Sequence, residues 1–130
     1  MTNCNCGKNT PQLIFACSGA ADVGEVADRA ARKLTADGAG KMFCLAGLGG
    51  KLSSFIETTS NASGVLAIDG CPANCAKNTL EQAGINDFSH IMLGDLGLVK
   101  GQTPATSEVI EKVVDSAKDI LSKNIEKNKS

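Results

Sequence analysis

The sequence predicts a single doubly wound α/β domain of the flavodoxin/Rossmann-like kind, with about four parallel strands and helices on both faces. Three observations lead there. Four short apolar runs each end in a turn rich in Gly or Asp, the segments between them carry helical periodicity, and no linker or low-complexity stretch breaks the alternation. At 130 residues the chain makes one core and buries roughly two-thirds of its unfolded surface. Its six cysteines are therefore not needed as staples.

The first run, Leu13 to Cys17, is too short for a helix and reads as a buried strand ended by Ser18-Gly19. Asp22 opens a helix with Val23, Val26, Ala27, Ala30, Ala31 and Leu34 on one face; Glu25 lies at capping-box distance and Gly38 is the expected stop. Met42 to Ala46 is the second expected strand, followed by a flexible Gly47-Leu48-Gly49-Gly50 and a weak helix around Leu52, Phe55 and Ile56. That helix is weak because Thr58, Thr59, Ser60 and Asn61 are poor helix formers. Val65 to Ile68 form the third strand, ended by Asp69-Gly70-Cys71, and Pro72 suits the first position of a helix running to Gly84. Phe88 to Leu93 form the fourth strand. A final helix starts near Ser107 and frays beyond Lys123, leaving 126–130 outside the fold. Residues 1–11 are expected as a flexible tail carrying Cys4 and Cys6, with the domain spanning 12–125.

A net charge of −1 supplies no basic field for nucleic acid, and a chain without Trp or Tyr has few stacking platforms. No run approaches the ~20 apolar residues of a membrane span, and Met1 to Thr10 lacks the apolar core of a signal peptide. A cytoplasmic protein with reduced thiols, no membrane and no nucleic-acid partner is the expectation.

The cysteines then become the chemistry. Cys17, Cys44 and Cys71 close successive expected strands, each 27 residues after the last. Equal register puts all three on the carboxyl edge of a parallel sheet, where α/β proteins place their ligands. In a 2-1-3-4 strand order Cys17 sits between the other two. Cys75 follows Cys71 by four residues, which puts both on one face of a helix that begins at Pro72, with their sulfurs at the positive end of its dipole. The outer strand ends lie ~10 Å apart, and sulfurs around a tetrahedral zinc lie roughly 3.8 Å apart, so side chains leaning inward span the difference. Cys17, Cys44, Cys71 and Cys75 are thus a candidate zinc site. A lone cysteine such as Cys44 also serves as a small core hydrophobe, and an iron–sulfur cluster suits the same ligands.

At these residues the sequence resembles the DGC domain family, named for Asp69-Gly70-Cys71. The likeness includes Ala16-Cys17-Ser18-Gly19, Ala21-Asp22-Val23-Gly24, Phe43-Cys44-Leu45 and Gly94-Asp95-Leu96-Gly97. The resemblance implies zinc chelation through Cys17, Cys44, Cys71 and Cys75.

Two enzyme readings stand beside the metal. Cys71 and Cys75 suit a thiol redox or sulfur-transfer enzyme. Cys17 occupies the strand-to-helix loop where oxyanion reductases and phosphatases keep their nucleophile, though no Arg ends that loop and Asp22 repels an oxyanion. Cys4-Asn5-Cys6 is either a plain tail or a weak metal-capturing arm. Gly47 to Lys51 matches no nucleotide fingerprint. His90 reads as a core or surface residue remote from the carboxyl edge; Asp69 and Asp95 lie near it as turn residues or partners of a ligand.

Overall fold

The computed structural model describes residues 11–129. Cys4 and Cys6, with all of the expected tail but Pro11, fall outside the described residues. The strands β1 (Leu13–Ala16), β2 (Lys41–Met42), β3 (Val65–Asp69) and β4 (Ser89–Met92) form one all-parallel sheet in the order β2-β1-β3-β4. The ladder pairs Ala16 with Ile68 and Asp69 with Met92, so the strands end together on one edge.

Alternation along the strands feeds two cores. Ile14, Ala16, Leu66, Ile68 and Ile91 face one layer, covered by α1 (Asp22–Ala36) and α5 (Ser107–Lys129). Leu13, Phe15, Val65 and Ala67 face the other, covered by α2 (Leu45–Gly49), α3 (Ser53–Ser60) and α4 (Cys75–Gln82). The sheet is therefore wound on both faces, as predicted. Gly38 and Gly84 take left-handed backbone just past α1 and α4, which is how both helices stop there.

Several boundaries differ from expectation. The second strand stops at Met42, and Leu45 and Ala46 already belong to α2. Helical winding buries Leu48 and brings Gly47 against the Phe55 ring, a contact that an extended chain through Ala46 would not form. The weak helix is a full α3: Thr58, Thr59 and Ser60 return their hydroxyls to the carbonyls of Ser54, Phe55 and Ile56. The fourth strand ends at Met92 and continues as a 3-10 turn, Leu93–Leu96. Helix α5 continues past Lys123 to Lys129. Asp22 is the first residue of α1, its cap position being Ala21, so no capping box forms; the Glu25 carboxylate meets Arg29 at 3.4 Å instead.

The carboxyl edge is tied to α1 through Gly70. A Cβ there would stand 2.8 Å from the backbone carbon and oxygen of Val23, closer than real contacts allow. Gly70→Ala should therefore cost about 1–3 kcal/mol of unfolding free energy. Gly19→Ala, where nothing lies within 4 Å of the added carbon, should stay within about 0.5 kcal/mol of wild type. Urea denaturation of both variants checks the pair.

Candidate functional site

The site is organised by Asp69, a fully buried carboxylate at the end of β3. Its Oδ1 accepts the Ala76 amide at 2.7 Å and its Oδ2 the Lys77 amide at 3.0 Å, so it caps α4 from outside that helix. His90 Nε2 lies 2.9 Å from the same Oδ2. In the ladder His90 stands opposite Ala67, on the face that Asp69 shares. The sequence reading that kept His90 away from this edge is thus corrected: it is a half-buried partner of Asp69.

This cap changes the geometry around Cys71 and Cys75. Pro72 does not open α4. Residues 71–74 form a turn, closed by the Asn74 amide on the Cys71 carbonyl at 3.1 Å, and the helix starts at Cys75. Asn74 takes left-handed backbone, φ 53°, and its buried Oδ1 accepts no hydrogen bond among the described residues. The two cysteines therefore flank a turn instead of sharing a helix face. The positive end of α4 is occupied by the Asp69 carboxylate.

The other cysteines follow their strands closely. The Cys17 amide extends the β1–β3 ladder to Ile68 O at 3.2 Å, and its Sγ accepts the Gly70 amide at 3.3 Å. Cys44 is the cap residue of α2 and is exposed. Cys17 and Cys71 are half-buried; Cys75 is exposed.

Cys17 borders two cavities at this edge. One, of about 300 Å³, also takes in Cys71, Cys75, Asp69 and Lys100. The other, of about 670 Å³, takes in Cys44, Arg32 and Thr79. Among the described residues no three Cys, His, Asp or Glu side chains gather closely enough to hold a metal ion. What the edge offers is a donor set: four thiols of the kind soft metals favour, three around one cavity and the fourth joined to them through Cys17.

Several residues escaped the sequence reading. Arg32 stands beside the Cys17 cavity, where a missing Arg weighed against an oxyanion site, but its guanidinium is held by Asp28 at 2.7 Å. Burial pushes the Asp28 carboxyl up; the hydrogen bonds from Arg32 and Ser18 outweigh it and hold the group below the usual aspartate range. Lys51 donates to the Gln82 carbonyl at 2.8 Å, so the glycine loop before it ties α2 to α4. Asp95 is exposed in the 3-10 turn.

Lys100 is positioned from a distance. The Asp22 carboxylate accepts the amides of Gly101 and Thr103, each at 2.9 Å, and so clamps the loop that carries Lys100 over the smaller cavity. Those bonds, Gly101 first, hold the Asp22 carboxyl below the usual aspartate range. No motif announces this contact, which joins residues 79 and 81 positions apart.

Comparison with known proteins supplies the relatives. The DGC domain family matches residues 13–117. The chain is 33% identical over 88 residues to a Pseudomonas aeruginosa protein named "Anaerobic and virulence modulator AnvM", covering 68% of this chain and 67% of that protein. No solved structure matches.

Two outcomes follow from the carboxylates. Asp69→Ala strips a buried amide, Ala76, and a part-buried one, Lys77, of their acceptor and should cost about 1–3 kcal/mol in chemical denaturation, with exchange protection lost first at these two residues. Asp22 has a depressed folded-state pKa, so its clamp is intact above the unfolded carboxyl value of about 4 and is lost as pH falls through the folded value. Protection of the Gly101 and Thr103 amides, taken against the intrinsic exchange rate at each pH, should be high at neutral pH, fall in acid below that window, and be weakened at every pH in Asp22→Asn.

Proposed function

This chain belongs to the DGC domain family, and from that premise we propose that it is a zinc-binding protein with a metal-handling, sensing or structural duty. Cys17, Cys44, Cys71 and Cys75 would hold the ion as thiolates. The observation that carries the reading is the place of Cys17, which borders the cavity of Cys71 and Cys75 and also that of Cys44. It is the donor common to the set. Cys44 and Cys75 are exposed, so their side chains have room to turn inward toward an ion.

Zinc bound by four thiolates has no open coordination position, and the set carries a formal charge of −2. Both facts favour sensing or structure over hydrolysis, which needs a bound water. Lys100 at the rim offsets part of that charge. The Pseudomonas aeruginosa relative carries the name of a modulator, in keeping with a protein that responds to its metal and passes the state on.

Protein purified without oxygen should be colourless and hold about one zinc per chain by elemental analysis. Cys17→Ser should lose most of that metal, and Cys44→Ser, Cys71→Ser and Cys75→Ser should each weaken competition against a chromogenic chelator. Cobalt(II) should give an intense thiolate charge-transfer band that fades in each variant. A brown protein, or zinc content unchanged when all four are replaced, overturns the proposal.

A further inference from the structure

We infer that Cys71 and Cys75 form a redox-active dithiol, oxidised by a low-molecular-weight disulfide with an anionic end, and that Lys100 selects for that charge. The inference goes beyond zinc binding and needs no metal.

The turn is built for closure. Its Asn74-to-Cys71 bond of 3.1 Å folds the chain so that Cys75 begins α4 directly after the turn that Cys71 opens. Both side chains border the same small cavity, and both are free cysteines. Left-handed Asn74 and its unpartnered buried oxygen mark this as the least satisfied point of the edge.

The two thiols differ in access. Cys75 is exposed and Cys71 half-buried, which assigns the attack to Cys75. Its thiolate displaces one thiolate, RS⁻, from the disulfide RSSR and forms a mixed disulfide. The Cys71 thiolate then attacks the Cys75 sulfur, closes the Cys71–Cys75 bond and expels the second RS⁻. Two protein thiols are oxidised, one external disulfide is reduced to two thiols, and the two protons lost by the cysteines end on them.

The cavity has an asymmetric charge. Asp69 is its one carboxylate, and both of its oxygens are taken, by Ala76, Lys77 and His90. Lys100 is its one cation, exposed and without an ion-pair partner among the described residues. An entering disulfide with a carboxylate end therefore meets an attractive rim, and a cationic one a repulsive rim.

The experiment treats reduced full-length protein, with a zinc chelator present, with oxidised glutathione or with cystamine, and maps the products by peptide mass spectrometry. A Cys71–Cys75 cross-link should dominate, and glutathione should react several-fold faster than cystamine relative to a free model thiol. Cys71→Ser should stop at a glutathione adduct on Cys75. Cys75→Ser, a change at an exposed position, should abolish the cross-link while keeping the wild-type circular dichroism spectrum. Lys100→Glu should reverse the preference between the two disulfides. Cross-links to Cys17 or Cys44 instead, or adducts spread evenly over the four cysteines, overturn the dithiol; equal preference in wild type and Lys100→Glu overturns the selection. Because zinc is chelated throughout, either failure leaves the metal reading untouched, and the loss of that reading leaves this one untouched.

Discussion

The Asp69 carboxylate organises the functional edge. Its carboxyl oxygens are fully buried, a situation that costs free energy unless hydrogen-bond partners surround them. Two amides from the start of α4 donate to them, and His90 Nε2 lies 2.9 Å from Oδ2. The demand for those donors fixes where α4 begins, and hence where Cys75 stands. Gly70, next in sequence, has no room for a side chain because the Val23 backbone passes over it. Of the three residues that name the family, the first two are thus architecture. They deliver the third, Cys71, to the rim of a cavity between the loop after β1, the start of α1, the end of β3 and the start of α4.

A second constraint works from the far side. Asp22, at the start of α1, holds the segment after β4 by two backbone amides, so a lysine remote in sequence comes to face the thiols. Neither carboxylate needs to touch a ligand. Each sets the position of a side chain that can. The sulfur of Cys17 is fixed in the same manner by the amide of Gly70, which leaves Cys44 and Cys75, both exposed, as the adjustable members of the set.

The architecture was legible because parallel strands buried on both faces read as continuous apolar runs; the equal spacing of Cys17, Cys44 and Cys71 pointed to one edge of the sheet but not to one register, because the ladder sets Ala16 against Ile68, which brings Cys17 level with Asp69, two residues before Cys71. The two-sided core follows from that reading, and the observed order β2-β1-β3-β4 is the 2-1-3-4 arrangement that it supposed. Local winding was not legible in two places. Leu45, Ala46 and Leu48 suit a strand or a helix equally; what decides is the Phe55 ring packed on Gly47, a tertiary contact. Pro72 is a good first helical residue, but Asp69 reaches past it to amides 7 and 8 positions on, a cap that no local motif encodes. His90 could be placed only by the ladder, which sets it opposite Ala67. Lys100 was invisible for the same reason, since its location depends on a clamp across most of the chain.

The brevity of β2 carries its own consequence. Two residues, Lys41 and Met42, make up this edge of the sheet, and Lys41 is exposed. A foreign strand seeking to extend the sheet would find almost no free ladder there and a charged side chain to bury. The border nearest Cys44 is thereby closed to backbone-templated self-association, and a partner that docks on it has to recognise side chains.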